Sequence, residues 1–227
     1  AQWGQDGSQL REVGGVGTRC RCHALIWAVG NDGTGQLVAH AFARVGDRLT
    51  TQLEPVEQML LGQLIDELSQ VLRRPEDADT PAVDPLAREL GLEGLTGIAP
   101  EPPDNPIAER LLPDGYRDDP IAATEFRRYT DDSLRASKLA DAEVMKAGLE
   151  AAADDPSGRI EIEPAEADHW VRAMNDLRLA LGVELGITNE SQIPPDPADL
   201  DEQLAGRAML YDFLTWWQDG LVVALMG

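Results

Sequence analysis

Leu49-Thr50-Thr51-Gln52-Leu53 leads into Glu54-Pro55-Val56-Glu57, and Arg159-Ile160-Glu161-Ile162 leads into Glu163-Pro164-Ala165-Glu166. Each time a short alternating strand pattern meets Glu-Pro-x-Glu and then a long amphipathic stretch. Proline suits the first turn of a helix, where its missing N–H has no partner to lose. Glutamates there face the positive end of the helix dipole. The repeat therefore predicts two strands, each leading a main helix, that share one small sheet.

Working outward, Leu25 to Val29, Gly30-Asn31-Asp32-Gly33 and Gln36 to Val45 read as a hairpin, because Asn, Asp and Gly tolerate the positive φ of tight turns. Gly46-Asp47 is a second such turn. With Arg48 to Leu53 these segments form an N-terminal antiparallel meander. The first main helix carries Val56, Leu60, Leu64, Leu68 and Leu72 on one stripe, widened by Met59, Ile65 and Val71, and that face must be buried. Residues 74 to 105 read as a long surface connection with a helical island at Asp84 to Leu90. Asp119-Pro120 opens a short helix through Tyr129, and Thr130-Asp131-Asp132 caps another that runs to Ala152. The second main helix places Trp170, Met174, Leu177, Leu181 and Leu185 on one side and ends near Gly186. Ser191 to Asp199 is a proline-broken loop. Leu204 to Leu225 is apolar almost all round, with Trp216 and Trp217 at its centre. Such a helix is either the central core helix or shared between core and a subunit interface, and we prefer the first. The fold class is α+β, mainly α: a helical bundle core with a small antiparallel β-sheet.

The chain has 227 residues and a formal charge of −22. Residues 1 to 47 balance Arg11, Arg19, Arg21 and Arg44 against Asp6, Glu12, Asp32 and Asp47, so the rest of the chain carries the whole excess. Such a surface repels phosphate backbones, which leaves direct DNA binding weak or absent, and it accommodates basic partners. No apolar run is long enough to span a bilayer. Two cysteines and no visible export signal point to a reducing cytoplasm without a structural disulfide. Residues 1 to 41 read as a flexible arm with a hairpin strand, an extension that need not belong to the native product, and residues 42 to 227 as one α-rich domain.

Chemistry is sparsely signposted. Glu166 and His169 share a helix face but lack a third and fourth metal ligand, so His169 reads as a plain surface histidine. Cys20-Arg21-Cys22-His23 with His40 is too compressed for a zinc site. We expect no metal and no cofactor. Gly30 to Gly35 lacks the Lys-Ser/Thr end of a phosphate loop, no nucleophile elbow is present, and no enzyme is expected. Cys20 and Cys22 are flanked by Arg19 and Arg21, which would favour the oxidant-sensitive thiolate; the alternative is a pair of incidental thiols in a mobile arm, which we prefer. Their spacing bridges poorly, and a bond to another molecule forms more readily. Arg127, Arg128, Arg135 and Lys138 form the one basic cluster in the acidic body. Because Glu125, Asp131 and Asp132 sit among them, internal ion pairing is preferred over contact with an acidic partner or phosphates. Asn175-Asp176-Leu177-Arg178 is a polar insert in an apolar helix, for which we expect structural pairing, with Asp176 to Arg135 as the suggested pair.

Several stretches together resemble one family: Arg110-Leu111-Leu112-Pro113-Asp114-Gly115-Tyr116-Arg117, Glu125-Phe126-Arg127-Arg128, Leu134-Arg135-Ala136-Ser137-Lys138, the run Trp170 to Gly182, Tyr211-Asp212-Phe213-Leu214-Thr215-Trp216 and the closing Ala224-Leu225-Met226-Gly227. They resemble the actinobacterial oxidative-stress transcriptional regulators, long catalogued as a domain of unknown function, over roughly residues 42 to 227. The resemblance implies a redox-responsive cytoplasmic regulator that works with an alternative sigma factor and influences cysteine biosynthesis. Both cysteines lie outside the resembling stretch, so no family redox pair is carried onto them. The rival expectation is a non-enzymatic adaptor without a redox role that self-associates, as a homodimer, through Trp216 and Trp217 of its last helix.

Overall fold

The computed structural model describes residues 41–74, 101–187, 189 and 195–227. The expected hairpin strand at Leu25 to Val29, the island at Asp84 to Leu90, and Cys20 and Cys22 lie outside the described residues. Strands β1 (Ala43–Val45), β2 (Arg48–Gln52) and β3 (Arg159–Ile162) form one antiparallel sheet in the order β1-β2-β3. The repeat therefore places its two strands side by side, with Leu49 opposite Ile162 and Thr51 opposite Ile160. These four face the core, while Glu161 on the other face meets Arg48 at 3.4 Å. The Gly46-Asp47 turn joins β1 to β2, with Gly46 at φ 66°.

Helix α1 (Pro55–Leu72) starts at the first Glu-Pro-x-Glu, where the Glu54 N–H donates to the Glu57 carboxylate at 2.8 Å. The second copy repeats this bond more loosely, from the Glu163 N–H to Glu166 at 3.4 Å. There the four residues make a separate turn, and helix α4 (Ala167–Glu184) begins one step later. The buried face of α1 is Leu61, Leu64, Ile65, Leu68 and Leu72. Val56 and Met59, expected inside, are 54% and 55% exposed. An i, i+4 row drifts around a helix of 3.6 residues per turn, so a stripe extended from Leu64 back to Val56 leaves the core face.

Helix α2 (Pro106–Leu111) is short and capped by Asn105, whose Oδ1 accepts from the Ile107 and Ala108 N–H groups. Helix α3 (Pro120–Ala153) is one continuous helix, which corrects the expected break at Thr130. The residues read as a cap have other uses. The Thr130 hydroxyl donates back to the Phe126 carbonyl at 2.9 Å, and Asp131 engages arginines. Helix α4 ends in a Schellman motif: Ile187 N–H reaches the Gly182 carbonyl at 2.7 Å and Gly186 N–H reaches Val183 at 3.1 Å, with Gly186 at φ 70°.

Helix α5 (Glu202–Met226) packs along α4 and reaches the sheet. Its Trp217 is completely buried, edge-on to Trp170 at 5.9 Å between ring centres and stacked on Phe213 at 5.5 Å. The Trp217 indole N–H points to the Thr51 hydroxyl at 3.4 Å. Trp217 is thus core, in line with the preferred reading of this helix, and the rival placement of Trp217 on a self-association face is corrected. Trp216 is half-buried. Trp170 in turn lies over Gly148 of α3, where a Cβ would stand 2.5 Å from the indole ring.

Candidate functional site

The polar residues singled out in the sequence gather along α3, where it faces the end of α1, the loop after α2, and α4. Arg127 has its side chain buried and joins Asp114 and the Thr124 hydroxyl, holding the loop after α2 against α3. Its Nε–H is buried with no acceptor among the described residues. Arg128 is 3.6 Å from Glu125 and lies over the Tyr129 ring. One turn on, Asp131 is almost fully buried and receives both Arg74 and Arg135, the latter at 2.7 Å. Arg135 also donates to the Leu72 carbonyl at 2.8 Å, so a side chain from α3 satisfies an orphan carbonyl at the end of α1.

Lys138 meets Asp176 of α4 at 2.7 Å. The suggested Asp176–Arg135 pair is therefore not formed; Lys138, one turn further along α3, is the residue level with Asp176. Burial pushes the Asp176 carboxyl above its ordinary range, against the hydrogen bond from Lys138. Arg178 turns the other way, to Thr215 at 2.9 Å and Gln218 at 2.6 Å on α5, and lies over the Tyr211 ring. Gln218 completes the link by donating to the Val171 carbonyl. Asn175 is exposed.

A second group joins His169 to Asp141 and Arg172, neither of which carries a local signal in the sequence. Asp141 of α3 is buried and accepts a two-pronged bond from Arg172, both contacts at 2.8 Å, while His169 Nδ1 stands 2.6 Å from Oδ1, the oxygen that also accepts from Arg172 Nη2. Burial raises the Asp141 carboxyl, but the hydrogen bonds from Arg172 and His169 outweigh it and hold the group below its ordinary value. His169 is thus a partner of a buried acid, which corrects the reading of it as a plain surface residue. Among the described residues no three His, Cys, Asp or Glu side chains converge as metal ligands.

Chemically, the arrangement is a ladder of charge pairs that locks α1, α3 and α4 together. It uses Arg127, Arg135 and Lys138 in buried or half-buried pairs, while Arg128 has a looser pair with Glu125 within α3. No helix among the described residues is long and apolar enough to cross a membrane.

Residues 39–225 match the model of a protein family catalogued as a domain of unknown function, DUF2017, and the chain belongs to that family. Among its relatives, the oxidative stress regulator AosR of Mycobacterium tuberculosis is 35% identical over 195 residues, covering 81% of this chain and 85% of that protein. The protein of the same name from Mycobacterium bovis is equally similar, at 35% over 195 residues. No solved structure matches the chain.

Proposed function

We propose that this protein is a non-enzymatic regulator of the oxidative-stress response that reaches promoters through a protein partner rather than by reading DNA itself. The observation that carries the reading is the 35% identity, over 195 residues, to proteins named oxidative stress regulators. The charge balance supports the protein-mediated route. A chain at −22 whose basic cluster is spent on internal pairs is repelled by a duplex, whereas a sigma factor, the partner the family resemblance suggests, supplies its own basic surface. In this reading the protein works in the cytoplasm, where thiols rest reduced, and oxidation at Cys20 and Cys22 alters partner binding.

The test is capture of sigma factors and core polymerase by the purified full chain, with reductant and with mild oxidant. The reading expects a captured factor whose yield changes with redox state. No capture in either state would overturn it.

A further inference from the structure

Between the first half of α1 and the last turns of α3 lies a groove of about 630 Å³, on the far end of α3 from the Arg127–Asp131 pairs. Leu149 and Ala152, both buried, and Met59, 55% exposed, are among its apolar lining. Gly62, among the lining residues, presents no side chain to the groove. A Cβ added at Gly62 would meet no described atom within 4 Å. Glycine inside a helix weakens it relative to alanine, and at Gly148 that weakness has a packing reason, since Trp170 occupies the space. At Gly62 no described side chain does.

The polar lining has one dominant sign. Among the described lining residues, Glu54, Asp66, Glu150 and Asp155 stand against a single cation, Lys146. Lys146 is already held by Asp66 at 2.6 Å, a bond that raises its pKa and keeps it charged. Asp155 accepts from the Ser157 N–H at 2.9 Å, which lowers its pKa and keeps it ionised. Apolar side chains between two helices, rimmed by four carboxylates against one ammonium, match an amphipathic helix with an apolar face and basic flanks. A second copy of this chain, also at −22, is repelled from such a surface.

We infer that the α1–α3 groove is a docking site for a cationic amphipathic helix of a protein partner, with Gly62 leaving room for its apolar face and Glu150, Asp155 and Glu54 pairing with its basic flanks. The inference concerns the groove's ligand chemistry and stands whether or not that partner is a sigma factor.

The probe is a fluorescein-labelled helical peptide with leucine at i, i+3, i+4 and i+7 and arginine elsewhere, titrated with the full chain by fluorescence anisotropy. Saturable binding is expected, and a peptide with glutamate in place of arginine should not bind. Gly62→Leu fills the groove from a position with open space, so the chain stays folded and affinity falls at least about tenfold, a change well above titration error. Glu150→Arg, on an exposed position, should weaken binding without touching the apolar lining. Absence of saturable binding, as when the chain's own residues fill the groove, would overturn the inference. So would equal affinity for wild type and both variants, which would mean a diffuse attraction to the acidic surface.

Discussion

Asp131→Ala removes the acid that two arginines share, and its cost can be worked from the surroundings. The Asp131 side chain is 3% exposed, while Arg74 and Arg135 are 18% and 12% exposed. Removing one partner of a buried ion pair typically costs about 3–5 kcal/mol, because the charge left behind is uncompensated. Here each arginine keeps another acceptor, Asp132 for Arg74 and the Leu72 carbonyl for Arg135, and both retain some contact with water. The expected loss is therefore below that range, about 2–3 kcal/mol, which for a chain of this size lowers Tm by about 4–12 °C. The assay is urea unfolding followed by circular dichroism at about 0.15 M salt, where relief of the net negative charge is screened. Arg48→Ala is the control. Its pairs with Glu161 and Glu163 are exposed on both sides, so about 1 kcal/mol or less is expected for each. Equal losses for the two variants, or an Asp131→Ala protein within about 0.5 kcal/mol of wild type, would refute the argument that burial decides the value of these pairs.

Asp141 predicts a pH dependence. Its folded carboxyl lies below the ordinary value of 3.8, so it contributes stability that is fully present above that value and is lost as pH falls through the folded pKa. Urea titrations of wild type and Asp141→Asn should show a wild-type advantage at neutral pH that shrinks below about pH 4; a constant difference would count against it. Asp176 has the opposite sign: its raised carboxyl makes folding less favourable as pH rises from its ordinary value through the folded one, so Asp176→Asn should flatten that descent. Gly148→Val would drive a branched side chain into the Trp170 ring and should cost about 1–3 kcal/mol, read by urea unfolding with a change in tryptophan fluorescence. Trp217→Ala should cost about 3–5 kcal/mol and leave the mass by light scattering unchanged; a dimer that dissociates on this substitution would restore the interface reading.

Where local rules decide structure, the sequence was legible. The doubled Glu-Pro-x-Glu located both main helices and the β2–β3 pairing, because proline and acid at a helix start act within one turn. Gly186 marked the end of α4 because only a left-handed residue closes that motif comfortably. Asn105-Pro106 carries the same kind of start signal for α2, obscured by the proline-rich connection that it closes. Failures came where tertiary contacts override local preference. Thr130 and Asp131 look like a cap, but Arg74 and Arg135 claim Asp131, and α3 continues through. The Asp141–His169–Arg172 group joins residues of two helices, and its acid has no distinguishing neighbour in the chain. The groove at Gly62 was equally hidden, since a lone glycine in a helical pattern does not announce whether another side chain fills its place.

The most direct test of the account is the yield of captured sigma factor, measured with reductant and with oxidant, for wild type and for Cys20→Ser/Cys22→Ser side by side. The account predicts that oxidant changes the yield for wild type and leaves that of the double variant where reductant had it. An oxidant response of the same size in both proteins would contradict the assignment of the switch to these cysteines, and no captured factor at all would contradict the regulator reading itself.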